Sequence, residues 1–152
     1  MTEREGLTTE ARELVITRIF DAPRELVWKA WTDRARALHW WKPKDFTTPV
    51  LEMDVRPGGR WRVVMRSPEG QEYTQRGEFR EISPPERLVF TLAWGTDAPE
   101  DEHLVTVTFA EKGRQTEMTF RKGPFTSSSQ RRGEHDGWNE AFDHLGASVE
   151  TT

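Results

Sequence analysis

Three consecutive serines stand shortly before a histidine and an aspartate near the end of the chain, and these are the residue types of a hydrolase triad. They are Ser127–Ser129, His135 and Asp136. A serine nucleophile needs a base within hydrogen-bond reach, and in many hydrolases it sits on a strained turn beside an oxyanion hole. The chain has neither a nucleophile elbow nor a glycine-rich oxyanion loop, and serines before a helix are typical caps. We therefore predict no catalytic residues and lean towards a protein that is not an enzyme.

The four histidines are the next candidates, as metal ligands. His135 and His144 would lie on roughly opposite sides of a helix, so they cannot bind one ion together. Glu140 and His144 have the i, i+4 spacing that permits joint ligation, but a solvated, salt-linked helix face is the commoner use of that spacing. His39 and His103 have no recognisable partner in sequence. Since the chain also has no Cys, we predict no metal and no cofactor.

Length and composition limit the classes of protein that remain. The 152 residues, with a formal charge of −4, suit one domain with a single core and do not form the basic face of a nucleic-acid binder. The absence of Cys, of a signal-like segment and of any long apolar run predicts a cytoplasmic protein without a membrane span. We expect a flexible polar segment over residues 1–12 and one ligand-binding domain over residues 13–152.

The elements that must position any site follow from apolar periodicity. Residues that favour strands fill Leu14–Phe20, and short helices are predicted over Pro23–Trp31 and about Asp33–Trp40. From Val50 to Arg121, turn signals recur at the spacing of an antiparallel meander, which predicts six strands. Gly137–Val149 is predicted to be an amphipathic helix. The pattern indicates an α+β fold in which a long C-terminal helix closes over a sheet of about seven strands.

Strand parity makes a finer prediction about the first hairpin of the meander. Alternate apolar residues on the two strands must share one face of the sheet. Placing Val55 opposite Trp61 satisfies this condition, and it requires a three-residue turn at Pro57–Gly59. We therefore predict that register.

Large apolar side chains with inward parity could surround a ligand between sheet and helix. Rings and flexible Met side chains suit varied apolar ligands, although such residues are more often plain core. Both interpretations stay open. The candidate ligand-binding residues are Trp40, Trp41, Met53, Trp61, Met65, Tyr73, Phe79, Phe90, Trp94, Phe125, Trp138 and Phe142.

Polar side chains with inward parity are rarer and more informative. Arg18 shares a strand face with Ile16 and Phe20, so it needs a carboxylate partner or a ligand anion if that face is buried. A structural ion pair is the commoner arrangement, and Arg18 completes the candidate ligand-binding set. Tyr73 and Gln75 have the parity to point inward and give polar specificity, or they are ordinary edge residues.

Four segments recur in a characteristic order and spacing. They are Ile16–Pro23 followed by Val27–Trp28 and Ala30–Asp33, then Trp40–Pro43, Asp54–Gly59, and Gly137–Trp138 with the apolar stripe after it. Together they resemble the START-like or Bet v 1-like superfamily, and the closer resemblance is to its branch similar to the C-terminal domain of the activator of Hsp90 ATPase. The superfamily's helix-grip fold wraps a curved antiparallel sheet around the C-terminal helix and leaves a cavity between them.

The resemblance implies several functions. The leading expectation is non-catalytic binding of a small hydrophobic or aromatic molecule in that cavity. An alternative is interaction with an Hsp90-type chaperone, although no counterpart of the activator's N-terminal chaperone-binding domain is recognisable in the sequence. A third hypothesis is a cyclase or hydrolase that uses the same pocket. The exposed sheet face also leaves pairing of two copies open.

Overall fold

The computed structural model describes residues 12–150, so the predicted flexible segment lies outside the described residues except for Arg12. The strands form one antiparallel sheet in the order β1-β7-β6-β5-β4-β3-β2. The predicted α+β fold is confirmed, with a seven-stranded sheet, a long last helix and two short helices after the first strand. The elements are β1 (Leu14–Phe20), α1 (Arg24–Thr32), α2 (Arg34–Ala37), β2 (Thr47–Met53), β3 (Arg60–Arg66), β4 (Glu72–Ser83), β5 (Arg87–Trp94), β6 (His103–Lys112), β7 (Gln115–Gly123) and α3 (Ser128–Glu150).

The long helix α3 begins nine residues earlier than predicted, at Ser128 instead of Gly137. The apolar stripe used for the prediction starts only at Trp138, so periodicity gave no signal for the first turns. The serine cap is confirmed, because the backbone N of Gln130 donates to Ser127 Oγ at 3.2 Å. The helix therefore extends beyond its apolar stripe.

The register of the β2–β3 hairpin also differs from the prediction. Met53, and not Val55, lies opposite Trp61. The shift of two residues keeps the predicted parity but lengthens the loop. The loop is longer because it bonds to another strand: the backbone N of Gly58 donates to the carbonyl of Phe79 at 2.8 Å. The predicted three-residue turn is therefore wrong.

The core lies between the concave sheet face and α3, and aromatic rings fill most of it. Trp31 of α1 lies at its centre, with its ring centroid 4.6 Å from that of Trp40 and 6.0 Å from that of Phe142. Phe120 of β7 contacts Trp138 with centroids 4.6 Å apart. Such edge-to-face and tilted ring contacts add to the free energy of area burial. A ligand can therefore occupy only the space that these rings leave.

Gly77 of β4 must lack a side chain because the Trp61 ring lies directly over it. Gly77 pairs with Trp61 of β3, and Trp61 Nε1 reaches across β4 to donate to the carbonyl of Thr91 in β5 at 3.1 Å. A Cβ at Gly77 would lie 1.8 Å from that carbonyl oxygen. The Trp61 indole thus links β3 to β5 across β4, and it can do so because Gly77 has no side chain.

We expect Gly77→Ala to lower the free energy of unfolding by about 1–3 kcal/mol or more, because the added Cβ must push two strands apart. Gly133→Ala is the matched control: a Cβ there meets no atom within 4 Å, so the change should stabilise helix α3 by up to about 1 kcal/mol. Chemical denaturation measures both. Equal effects of the two changes would contradict this account.

Candidate functional site

A cavity of about 180 Å³ lies where α3 faces strands β3, β4 and β5. Its inner wall is buried, whereas Lys42, Pro43 and Gly133 at its rim are partly or fully exposed. A concave, mostly apolar space with a few polar groups is the usual form of a small-molecule site. The lining residues are Trp41, Lys42, Pro43, Met65, Gln75, Trp94, Gly133, Glu134, Gly137, Trp138 and Ala141.

Two glycines of α3 keep this space open. Gly133 and Gly137 are one helical turn apart, both line the cavity, and a Cβ on either would meet no atom within 4 Å. A glycine inside a helix costs about 1 kcal/mol relative to alanine. Packing does not require glycine at either position, so their effect is to leave room between helix and sheet.

A hydrogen bond between two buried side chains orients the wall opposite α3. Trp41 follows α2, and its Nε1 donates to Gln75 Oε1 on β4 at 2.9 Å. Gln75 is only 3% exposed. The bond holds the Trp41 ring against the sheet, where it also contacts Trp61 and Trp138 at centroid distances of 5.2 and 6.0 Å.

A buried charged cluster reaches the cavity through Glu134, which is one of the lining residues. Lys122 Nζ on β7 lies 2.6 Å from Glu134 Oε1 on α3 and 2.7 Å from His103 Nδ1 on β6. It also lies 4.8 Å from the centre of the Phe125 ring. The Lys122 side chain is fully buried and that of Glu134 is 10% exposed. Trp94 Nε1 donates to Glu134 Oε2 at 3.3 Å, which connects the cluster to the cavity wall.

Burial and charge determine the protonation of the cluster. Burial, followed by the nearby Lys122, lowers the pKa of His103 from 6.5 to about 4. Burial also lowers the pKa of Lys122, while Glu134 acts in the opposite direction. His103 is therefore neutral at pH 7, and its Nδ1 can accept a hydrogen bond from Lys122.

Comparison with models of protein families identifies the family of this chain. The model of the activator of Hsp90 ATPase homolog 1-like proteins matches residues 21–150. The chain belongs to this family. The predicted START-like resemblance is thereby confirmed, since the fold and the family agree.

Solved structures with the same fold come from several bacteria. A Chromobacterium violaceum protein is 24% identical, with 91% of this chain and 97% of that chain covered and a TM-score of 0.85. A Nitrosomonas europaea protein is also 24% identical, with coverages of 93% and 96% and a TM-score of 0.80. An Arthrobacter aurescens protein is 26% identical, with coverages of 96% and 90% and a TM-score of 0.79. Comparison with curated proteins finds no match.

In this member of the Hsp90 ATPase activator-like family, the predicted ligand-binding residues divide into two groups. Four of them line the cavity: Trp41, Met65, Trp94 and Trp138. The remaining apolar candidates lie outside it. Trp40, Trp61, Phe79, Phe90, Phe125 and Phe142 are buried in the core, Met53 packs half-buried against it, and Tyr73 is 40% exposed.

The polar candidates also differ in their surroundings. Arg18 has a carboxylate partner, because its Nη2 lies 2.7 Å from Asp143 Oδ1 on α3. Of the two predicted alternatives, a structural ion pair or a ligand anion, the structure shows the ion pair. Gln75 points inward as its parity predicts, whereas Tyr73 packs against Phe46 at the surface, with ring centroids 6.1 Å apart.

Sequence reasoning missed the charged cluster and the glycine pair. Lys122 offered a signal, since it shares strand parity with the buried Met118 and Phe120. The argument applied to Arg18 therefore extends to Lys122. Glu134 and His103 gave no such signal because their roles depend on contacts between distant elements.

The other chemical candidates do not assemble into a metal site. Within residues 12–150, no three His, Asp or Glu side chains are grouped closely enough to hold an ion. His135 lies on the exposed side of α3 beside Asp136 and Asn139. Over the same described range, no helix has the length and apolar character to cross a membrane.

The low pKa of His103 predicts a pH dependence of stability. The unfolded chain takes up this proton near pH 6.5 and the folded chain only near pH 4. The unfolded state thus binds more protons in between, so the free energy of unfolding must fall as pH drops through this window. His103→Gln should lose less stability between pH 7 and 4.5 than the wild type, as measured by urea denaturation.

The histidine at an exposed position provides the control for this experiment. His135→Gln should retain the wild-type pH dependence. Carboxylates titrate in the same range in all three proteins, so only the difference between variants is informative. Identical pH profiles for His103→Gln and the wild type would show that burial of this imidazole is not linked to stability.

Proposed function

We propose that this protein binds a small hydrophobic or aromatic molecule, without converting it, in the cavity between the sheet and α3. The observation that supports this most directly is the cavity wall, where Trp41, Trp94, Trp138 and Met65 surround about 180 Å³. An engineered apolar cavity of about 150 Å³ holds benzene. The expected ligand is therefore a single ring with few substituents, or a molecule that places such a ring inside.

The glycine pair gives independent support. Gly133 and Gly137 weaken the helix without any steric need, which is the cost expected if space itself is useful. Met65 adds an adaptable wall, because its thioether side chain adjusts to ligands of different shape. The site thus combines rigid rings on several sides with one flexible side chain.

Tryptophan fluorescence tests the proposal directly. Three of the seven Trp residues line the cavity, so an aromatic ligand that enters it should change the emission in a saturable way. A screen of single-ring acids, ketones and alkylbenzenes, with calorimetry for each responding compound, should yield at least one stoichiometric binder. Absence of a saturable response to every class would contradict the proposal.

Gly137→Leu should abolish that binding while keeping the fold. The leucine would project into the cavity and also replace a helical glycine by a better helix former,. Ala147→Leu is the matched control, since it adds the same side chain to an exposed position of α3. We expect both variants to be as stable as the wild type in thermal denaturation, and only Gly137→Leu to lose the calorimetric signal.

The family match supports a second candidate function, interaction with an Hsp90-type chaperone. Contacts of this kind would use the surface and not the cavity. That function predicts that the protein raises ATP turnover by a purified Hsp90 homologue, and that Gly137→Leu raises it equally. Unchanged turnover together with no complex in analytical ultracentrifugation would exclude this function.

A further inference from the structure

We infer that the ligand carries a carbonyl or carboxylate oxygen on a substituent of its aromatic ring, and that this oxygen accepts hydrogen bonds from Gln75 Nε2 and Trp138 Nε1. This inference rests on the proposed function and narrows its ligand to one chemical class. The basis is a comparison of the hydrogen-bond donors and acceptors on the cavity wall: some already have a partner within the protein, and others have none.

The first free donor is the amide nitrogen of Gln75. An indole N–H can only donate, so the Gln75 atom that faces Trp41 Nε1 must be the carbonyl oxygen Oε1,. The two N–H groups of Gln75 Nε2 are then left over, and they make no hydrogen bond to any residue between 12 and 150. Gln75 is 3% exposed and lines the cavity. A donor at the cavity wall can be satisfied by an acceptor from a ligand or from water.

The second free donor belongs to the facing helix. Trp138 is 5% exposed and lines the same cavity. Its Nε1 has no hydrogen-bond partner among the residues that the structure describes. Buried Trp side chains usually find a partner for this group. Two donors without a partner, one from β4 and one from α3, thus line the same cavity, and a ligand oxygen bound between the strand and the helix would accept from both.

The side-chain acceptors on the wall are already engaged. Gln75 Oε1 accepts from Trp41. Glu134 Oε1 contacts Lys122 Nζ at 2.6 Å, and Glu134 Oε2 accepts from Trp94 Nε1 and from Gln130 Nε2 at 3.3 Å each. The cavity therefore offers spare donors and no spare side-chain acceptor, which favours a ligand oxygen over a ligand amine.

A cation at the rim extends the same preference. Lys42 lines the cavity and has no ion-pair partner within the described part of the chain. Its ammonium group would favour a carboxylate over a neutral carbonyl. Both carry the acceptor oxygen that the two free donors require, so the experiment must separate them.

A matched series of single-ring probes tests the inference on the unmodified protein. Calorimetry should be run with benzoate, acetophenone, ethylbenzene and benzylamine. Benzoate or acetophenone should bind at least about tenfold more tightly than ethylbenzene, the factor expected for one well-formed hydrogen bond at a buried site. Benzylamine, whose ammonium group can only donate, should bind no better than ethylbenzene.

Gln75→Met then removes the donor while keeping a side chain of similar length. It should weaken the preferred oxygen-bearing probe by at least about tenfold and leave ethylbenzene within about twofold of the wild type. Gln71→Met, at an exposed turn, is the matched control and should change neither affinity. Since Gln75→Met also leaves Trp41 Nε1 without its partner, its fold is checked by circular dichroism, and the probe series on the wild type stands without it.

The possible results separate this inference from the proposed function. Equal affinities of ethylbenzene, acetophenone and benzoate would overturn the inference and leave the proposed function standing. Failure of every probe to bind would overturn both. Loss of affinity for benzoate alone in Lys42→Gln would support the inference and identify the acceptor as a carboxylate, whereas a preference for acetophenone unaffected by Lys42→Gln would support it with a carbonyl.

Discussion

The ion pair between Lys122 of β7 and Glu134 of α3 joins helix and sheet at the end of the core where aromatic rings do not fill the gap. Its 2.6 Å contact is almost completely removed from solvent, so each charge depends on the other for compensation. Glu134 is flanked by Gly133 and lies one turn before Trp138, and all three line the cavity. The same stretch of α3 therefore supplies the carboxylate that attaches the helix to the sheet and the glycines that leave a cavity beside it.

Elsewhere the helix is held mainly by close packing, with the more exposed Arg18–Asp143 ion pair as a second polar attachment to the sheet. Trp31 occupies the middle of the space between the sheet and α3, in ring contact with Trp40, Phe120 and Phe142. Filling this region stabilises a fold whose apolar content is otherwise modest, because each buried ring removes a large area from water. The consequence is a remaining cavity of about 180 Å³, well below the usual volume of sites for drug-sized ligands.

Sequence patterns predicted the order of elements and the bounds of β1, because these depend on local periodicity. Parity allowed both Tyr73 and Gln75 to point inward, and only Gln75 does. The patterns could not separate Trp40 from Trp41, which lie in the turns after α2: one is buried in the core, with its Nε1 bonded to the carbonyl of Ala30, and the other lines the cavity. The hairpin register and the start of α3 also escaped prediction. The loop at Gly58 bonds to a third strand, and the first turns of α3 are held by a charge and not by an apolar stripe.

At the proposed ligand site, selectivity would come from the polar groups. The three indole rings offer apolar surface that accepts almost any ring of suitable size, so they contribute affinity with little discrimination. Trp138 illustrates the division within one side chain, since its ring packs 4.6 Å from that of Phe120 while its Nε1 remains without a partner among the described residues. The ring of the residue packs in the core, and its N–H is one of the two donors assigned to the proposed ligand. Exchanging the rings would alter stability and binding together, whereas the amide of Gln75 can alter the choice of ligand while the aromatic core stays intact.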